Sequence, residues 1–117
     1  MKIFVIIPGY NEGSAIGKVI KDLIKAGYED VIVVDDGSKD DTEKVAYDSG
    51  ATVLTHIINR GQGAALKTGN LFALENGAEI IVHFDADGQM QVSDIKAMCK
   101  PIIDKEVDIT IGSRFLG

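Results

Sequence analysis

Asp85 and Asp87 stand two residues apart at the end of a short apolar run, Ile80-Ile81-Val82-His83-Phe84, and Gly88 and Gln89 follow them. An apolar run bounded by turn residues reads as a buried strand. Side chains in extended backbone alternate faces, so both carboxylates can leave one side of the strand end. Two such oxygens can share one hard cation. Mg²⁺ and Mn²⁺ take carboxylate and water ligands and keep positions open for substrate phosphates. Gly88 permits close backbone approach to a ligand, and Gln89 offers a further amide oxygen. An isolated Asp-x-Asp-Gly is also the signature of a solvated turn closing a strand, so the rest of the chain has to decide between the two.

The elements that would position this pair alternate along the chain. Lys2 to Ile7 is a continuous apolar run stopped by Pro8 and Gly9, as expected for a strand covered on both faces. Ile16, Val19, Ile20, Leu23 and Ile24 recur at helical spacing, with Ser14 as the expected N-cap and Gly27 at the C-terminal cap. Val31 to Val34 predicts a second strand, ending in Asp35-Asp36-Gly37-Ser38. Ser38 and Asp41 fit the capping box of a helix reaching about Ser49, closed by Gly50. Thr52 to His56 gives a third, weaker strand, and Asn59-Arg60-Gly61-Gln62-Gly63 a glycine-punctuated loop. Ala65, Gly69, Phe72 and Ala73 then mark a helix face up to Gly77. Ile95, Met98, Cys99, Ile102 and Ile103 trace another helix, in which Pro101 predicts a kink or an early break. Val107 to Ile111 makes strand five. This alternation predicts one α/β domain over residues 1–117: an open, doubly wound, mostly parallel sheet with helices on both faces.

In such sheets ligands bind beyond the carboxyl ends of the strands, where strand order reverses. Each predicted strand here ends in polar groups: Pro8, Tyr10, Asn11 and Glu12 after the first, Asp35 and Asp36 after the second, Asn59 to Gly63 after the third. Asp85, Asp87 and Gln89 follow the fourth and Arg114 the fifth. Unrelated surface turns would not load one edge in this way, which favours function for the Asp pair. Two phosphate-loop patterns fail. Gly61-Gln62-Gly63-Ala64-Ala65-Leu66 has leucine where a dinucleotide fingerprint needs its third glycine, and Leu66 also occupies the place of the glycine that precedes a Walker lysine.

Other reactive residues have plainer readings. His83 is a packed or hydrogen-bonded histidine, and His56 a strand-end histidine. Cys99 falls on the apolar face of its helix and reads as core. Asp35 either braces its loop through backbone N–H groups or touches substrate. Lys67 lies off the Ala65 stripe and reads as solvated.

At 117 residues the chain is long enough to bury a real core. Eighteen acidic against 12 basic residues give a charge of −6, with no basic run, which argues against nucleic-acid binding. A single cysteine excludes an internal disulfide and points to a reducing, cytoplasmic setting. Ile3 to Ile7 is too short to span a bilayer, and no signal peptide, linker or repeat is evident.

Together, Ile6-Ile7-Pro8-Gly9-Tyr10-Asn11-Glu12, Val33-Val34-Asp35-Asp36-Gly37-Ser38, Asn59-Arg60-Gly61-Gln62-Gly63, Asp85-Ala86-Asp87-Gly88-Gln89 and Gly112-Ser113-Arg114-Phe115 resemble the family 2 glycosyltransferases of the GT-A fold. The polyprenyl-phosphate and dolichyl-phosphate mannose synthase type is the nearest likeness. The resemblance implies an inverting transferase that binds a GDP- or UDP-sugar with Mg²⁺ or Mn²⁺ on a Rossmann-like half. It implies that Pro8, Tyr10 and Glu12 line the nucleotide pocket, that Asp36 contacts the base, that Ala86 sits beside the donor and that Arg114 reaches its phosphates or sugar. Asp85 and Asp87 are implied as the catalytic Asp-x-Asp, with Gln89 beside them at the metal. Asp36 is expected to read the base rather than support the fold. The family's acceptor-binding half normally follows the Arg114 motif, so the chain reads as a donor-binding half, inactive in transfer by itself and with an exposed edge suited to a homodimer. A polyprenyl-phosphate acceptor would bring it to the cytoplasmic face of a membrane. The alternatives are a non-catalytic nucleotide- or nucleotide-sugar-binding module, or a Mg²⁺-dependent phosphohydrolase with Asp85 as nucleophile. The phosphohydrolase lacks a recognisable downstream basic residue and acidic pair.

Overall fold

The computed structural model describes residues 2–87, 91, 93 and 95 and the backbone of 109–111. The strands among them are β1 (Ile3–Gly9), β2 (Asp30–Asp35), β3 (Thr52–Thr55), β4 (Ile80–His83) and β5 (Ile109–Ile111), and the helices α1 (Ile16–Lys25), α2 (Thr42–Asp48) and α3 (Gln62–Glu75). The strands form one sheet in the order β3-β2-β1-β4-β5, and every neighbouring pair is parallel. Gln89, Cys99, Pro101 and Arg114 lie outside the described residues, as does most of the helix expected over 95–103, of which Ile95 is helical and buried.

Both faces of the sheet are covered, which is why its strands read as unbroken apolar runs. Val5, Ile7, Val31, Val33, Ile80 and Val82 point to the side of α1 and α2, where they meet Ile16, Val19, Ile20, Leu23 and Ala46. Their alternates Phe4, Ile6, Ile32, Val34 and Ile81 point to α3 and its Ala65 and Ala73. Ile24 does not share the burial of the α1 stripe and remains 38% exposed. No helix among the described residues is long and apolar enough to cross a membrane.

The expected N-caps do not form. Ala15 and Asp41 occupy the N-cap positions of α1 and α2, and neither helix has a side-chain cap. Ser38 instead accepts the Asn11 N–H. The C-termini follow expectation: in α1, the N–H of Tyr28 reaches Leu23 O and that of Gly27 reaches Ile24 O, and α2 and α3 repeat the pair at Gly50 and Gly77. This closure places the glycine at positive φ, the region an L side chain disfavours.

Strand order reverses between β1 and β4. After β3 the chain crosses back to the far side of β1, and α3 consequently covers the face opposite to α1 and α2. The β1–β2 ladder continues to Gly9↔Asp35, whereas the β1–β4 ladder stops at Ile6↔His83. Pro8 accounts for the difference. Ile6 O accepts the Phe84 N–H, so Ile6 presents its backbone to β4, and Pro8, two residues on, faces the same side with no N–H to give. The sheet parts there, and a crevice opens.

Gly69 sets how closely α3 lies on β1. A Cβ at this position would overlap the side chain of Ile6, which is fully buried. In Gly69→Ala the gain in helix propensity, about 1 kcal/mol, is expected to be outweighed by overpacking of about 1–3 kcal/mol. Thermal unfolding of this variant should therefore show a lower melting temperature than the parent, and an unchanged or higher one would contradict the packing described.

Candidate functional site

The crevice between β1 and β4 is a cavity of about 420 Å³. Pro8 and Gly9 line it from β1, with Tyr10 and Glu12 just beyond; Asp36 follows β2, Asn59 and Gly61 precede α3, Gln62 and Ala65 lie in its first turn, and Asp85, Ala86 and Asp87 follow β4. Four carboxylates thus face one space, and the described lining contains no Lys, Arg or His.

Bonds between loops distant in sequence hold the β1 side. Asn11, at a positive φ of 54°, donates its N–H to Ser38 Oγ at 2.9 Å and accepts the Lys39 N–H at 2.9 Å. The Glu12 N–H donates to Thr42 Oγ1 at 2.9 Å, and that hydroxyl in turn donates to Asp40. Glu12 O accepts the N–H groups of Ala15 and Ile16. Tyr10, just before this locked turn, is 43% exposed at the cavity mouth.

Asp36 has a structural role that was not expected of it. It is only 3% exposed, and three donors converge on its carboxylate. Oδ1 takes the Arg60 N–H at 2.9 Å and lies 2.8 Å from His56 Nδ1, and Oδ2 takes the Gly61 N–H at 2.8 Å. Burial alone would raise its pKa, but the hydrogen bonds from Arg60, His56 and Gly61 and the charge of a protonated His56 outweigh burial and hold it below the ordinary 3.8. The expectation that Asp36 reads a ligand without supporting the fold is corrected: it ties the end of β2 to the β3–α3 loop. Asp35 is buried and accepts the Ser38 N–H at 3.2 Å, the bracing alternative for that residue.

Asp85 and Asp87 both reach the cavity, though not by strand alternation. β4 ends at His83, and residues 86 and 87 form a turn. Ala86 between them is buried, and Asp87 is exposed. Two carboxylates on one wall suit a hard, oxygen-seeking cation, although among the described residues no three His, Cys, Asp or Glu side chains are placed to hold one ion together. His83 packs against α3 with Nε2 2.7 Å from Asn70 Oδ1, and burial lowers its pKa.

Asn59, Gly61 and Gln62, on the strand-end edge the sequence marks out, reach the cavity because Gly37, at φ +75°, lets the β2 end meet the next loop: a Cβ there would lie 2.7 Å from Asn59 N. His56 is a strand-end histidine as read, but both of its nitrogens are engaged, with Nε2 2.9 Å from Thr68 Oγ1. A His twelve residues before a helical Thr carries no recognisable spacing, so only the fold reveals that contact.

Residues 4–117 match the family described as Glycosyl transferase family 2. The chain belongs to this family. It is 45% identical over 115 residues to an uncharacterised protein of Methanocaldococcus jannaschii, covering 98% of this chain and 47% of that one. It is 37% identical over 129 residues to the UDP-N-acetylglucosamine–dolichyl-phosphate N-acetylglucosaminyltransferase of Methanococcus voltae, covering 96% and 51%. The chain thus spans about half the length of the curated relatives it matches. A crystal structure of Mycobacterium tuberculosis glucosyl-3-phosphoglycerate synthase with Mn²⁺, UDP and glucosyl-3-phosphoglycerate superposes with a TM-score of 0.72 at 31% identity, over 86% of this chain and 39% of that one. The doubly wound parallel sheet is accordingly that of the GT-A glycosyltransferases.

The lowered pKa of Asp36 makes its contribution to stability pH-dependent. A carboxylate whose pKa is depressed by folding stabilises the fold above its unfolded value, here 3.8, and loses that contribution as pH falls through the lower folded value. Melting temperatures measured between pH 7 and pH 3 should fall steeply at the acid end. In Asp36→Asn the melting temperature should be lower at pH 7 and the acid limb flatter. A parallel pair of curves would show that this carboxylate does not hold the loops.

Proposed function

We propose that the crevice binds a nucleoside-diphosphate sugar together with Mg²⁺ or Mn²⁺, as the donor site of an inverting glycosyltransferase. The observation that carries this reading is the acidic lining at the strand reversal: Glu12, Asp36, Asp85 and Asp87 around a cavity of about 420 Å³. A diphosphate would be repelled by that lining without a cation to bridge them. Asp85 and Asp87 would hold the cation, with Gln89 as a further oxygen. When bound, it offsets the charge that develops on the departing diphosphate.

Asp36 marks the other end of the site. Its carboxylate has about four acceptor positions, and the three donors on it leave one for a ligand. Held ionised, it accepts and does not donate, so it favours a base with a ring N–H. Uracil and guanine present one, whereas neutral cytosine and adenine present only an exocyclic amino donor beside a bare ring nitrogen, whose lone pair the carboxylate repels. The Tyr10 ring at the mouth offers an apolar face to the same base. Pro8 opens the floor, Ala86 lies between the cation ligands, and Arg114 would grip phosphate or sugar. The acceptor we assign to the whole protein is a polyprenyl phosphate, in keeping with the Methanococcus voltae relative, whose name specifies dolichyl phosphate.

Calorimetric titration with UDP, GDP, CDP and ADP and with the corresponding sugar nucleotides tests this directly. UDP or GDP should bind in Mn²⁺ at least about tenfold more tightly than in EDTA, and Asp87→Asn should abolish that difference. Equal affinity in Mn²⁺ and EDTA, or a preference for CDP or ADP, would contradict the assignment.

A further inference from the structure

The donor reading leaves His56 without a task, yet it is among the most firmly fixed polar groups near the crevice. Its side chain is only 10% exposed, and it links Asp36, at the end of β2, to Thr68 on α3 through contacts of 2.8 and 2.9 Å. Asp36 is ionised and can only accept, so the proton of the ring sits on Nδ1. Where the ring is neutral, Nε2 carries the lone pair and the Thr68 hydroxyl donates to it. Both nitrogens are satisfied in one tautomer, with every donor facing an acceptor.

The other two donors to Asp36 come from the backbone of the connection between β3 and α3, where Ile57 is 97% exposed and anchors nothing. His56 alone refers the carboxylate, through side chains, to the body of a helix packed on the sheet. We propose that His56, seated by Thr68, is a positioning residue that fixes the rotation of the Asp36 carboxylate, so that its one remaining acceptor site points into the crevice for the ring N–H of the nucleobase. This rests on the assignment of Asp36 to the base end of the donor site. It makes base selection a property of a three-residue chain, Thr68 to His56 to Asp36, and not of Asp36 alone.

Nitrogen-15 NMR of the ligand-free protein tests the chain without any nucleotide: His56 should be the Nδ1–H tautomer, and an Nε2–H tautomer would overturn the proposal. Binding supplies the second readout. His56→Leu removes both bonds, His56→Asn keeps a donor near the position of Nδ1, and Thr68→Val removes only the seat. Affinity for UDP or GDP, whichever the parent protein prefers, should fall by about tenfold in His56→Leu, recover most of the way in His56→Asn and fall less in Thr68→Val. Affinity for the same nucleotide methylated on that ring nitrogen should be alike in all four proteins. An equal loss for both ligands would make His56 merely structural, and no loss would remove its role; either overturns the proposal. Should His56→Leu not fold, the tautomer, His56→Asn and Thr68→Val decide by the same criteria. If the parent protein fails to discriminate against the methylated nucleotide, the assignment of Asp36 itself is wrong and this proposal falls with it; if the parent discriminates and the variants do so equally, only the role of His56 falls.

Discussion

A buried negative charge must be compensated, and the way Asp36 is compensated organises one end of this molecule. Its oxygens take the N–H groups of Arg60 and Gly61 and the ring of His56, so one side chain draws the end of β2, the β3–α3 connection and, through Thr68, helix α3 into a single body. Gly37 allows the two loops to approach that closely, because the backbone of Asn59 occupies the space a side chain would need. The result is a wall that is rigid before any ligand arrives, which lowers the ordering cost of binding.

The opposite end of the crevice is built on a different principle. Pro8 ends the β1–β4 ladder, the two central strands part, and Asp85, Ala86 and Asp87 turn into the gap. Asp87 is exposed where Asp36 is buried. In the proposed reading the exposed end takes the cation, and the carboxylate enclosed by three donors reads the base. The strand order places both within one cavity although they are about fifty residues apart in the chain.

The sheet was legible because both of its faces are buried: runs such as Phe4 to Ile7 and Val31 to Val34 can be little else. The helix C-termini were legible for a local reason, since Gly27, Gly50 and Gly77 supply the left-handed residue within their own turns. The N-termini were not. Ser38 has the right spacing for a capping box, but its hydroxyl is taken by Asn11, 27 residues away, and the fold's long-range bond displaces the local one. The same blindness hid the bracing role of Asp36 and the engagement of His56, whose partners come from other loops. Asp85 and Asp87 were placed on the right edge by an argument from strand alternation that does not apply, because the strand has already ended. Gln89 and Arg114 lie outside the described residues.

The central claim is that one crevice takes a cation at Asp85 and Asp87 and a nucleobase at Asp36. A crystal structure of the protein with Mn²⁺ and its preferred nucleotide, with anomalous data collected at the manganese edge, tests both ends in one measurement. The account predicts a single strong anomalous peak between the nucleotide's diphosphate and the carboxylates of Asp85 and Asp87, with the base ring nitrogen within hydrogen-bonding distance of Asp36. Manganese bound instead at the Asp40 and Asp41 turn, or the base placed away from Asp36, would contradict it.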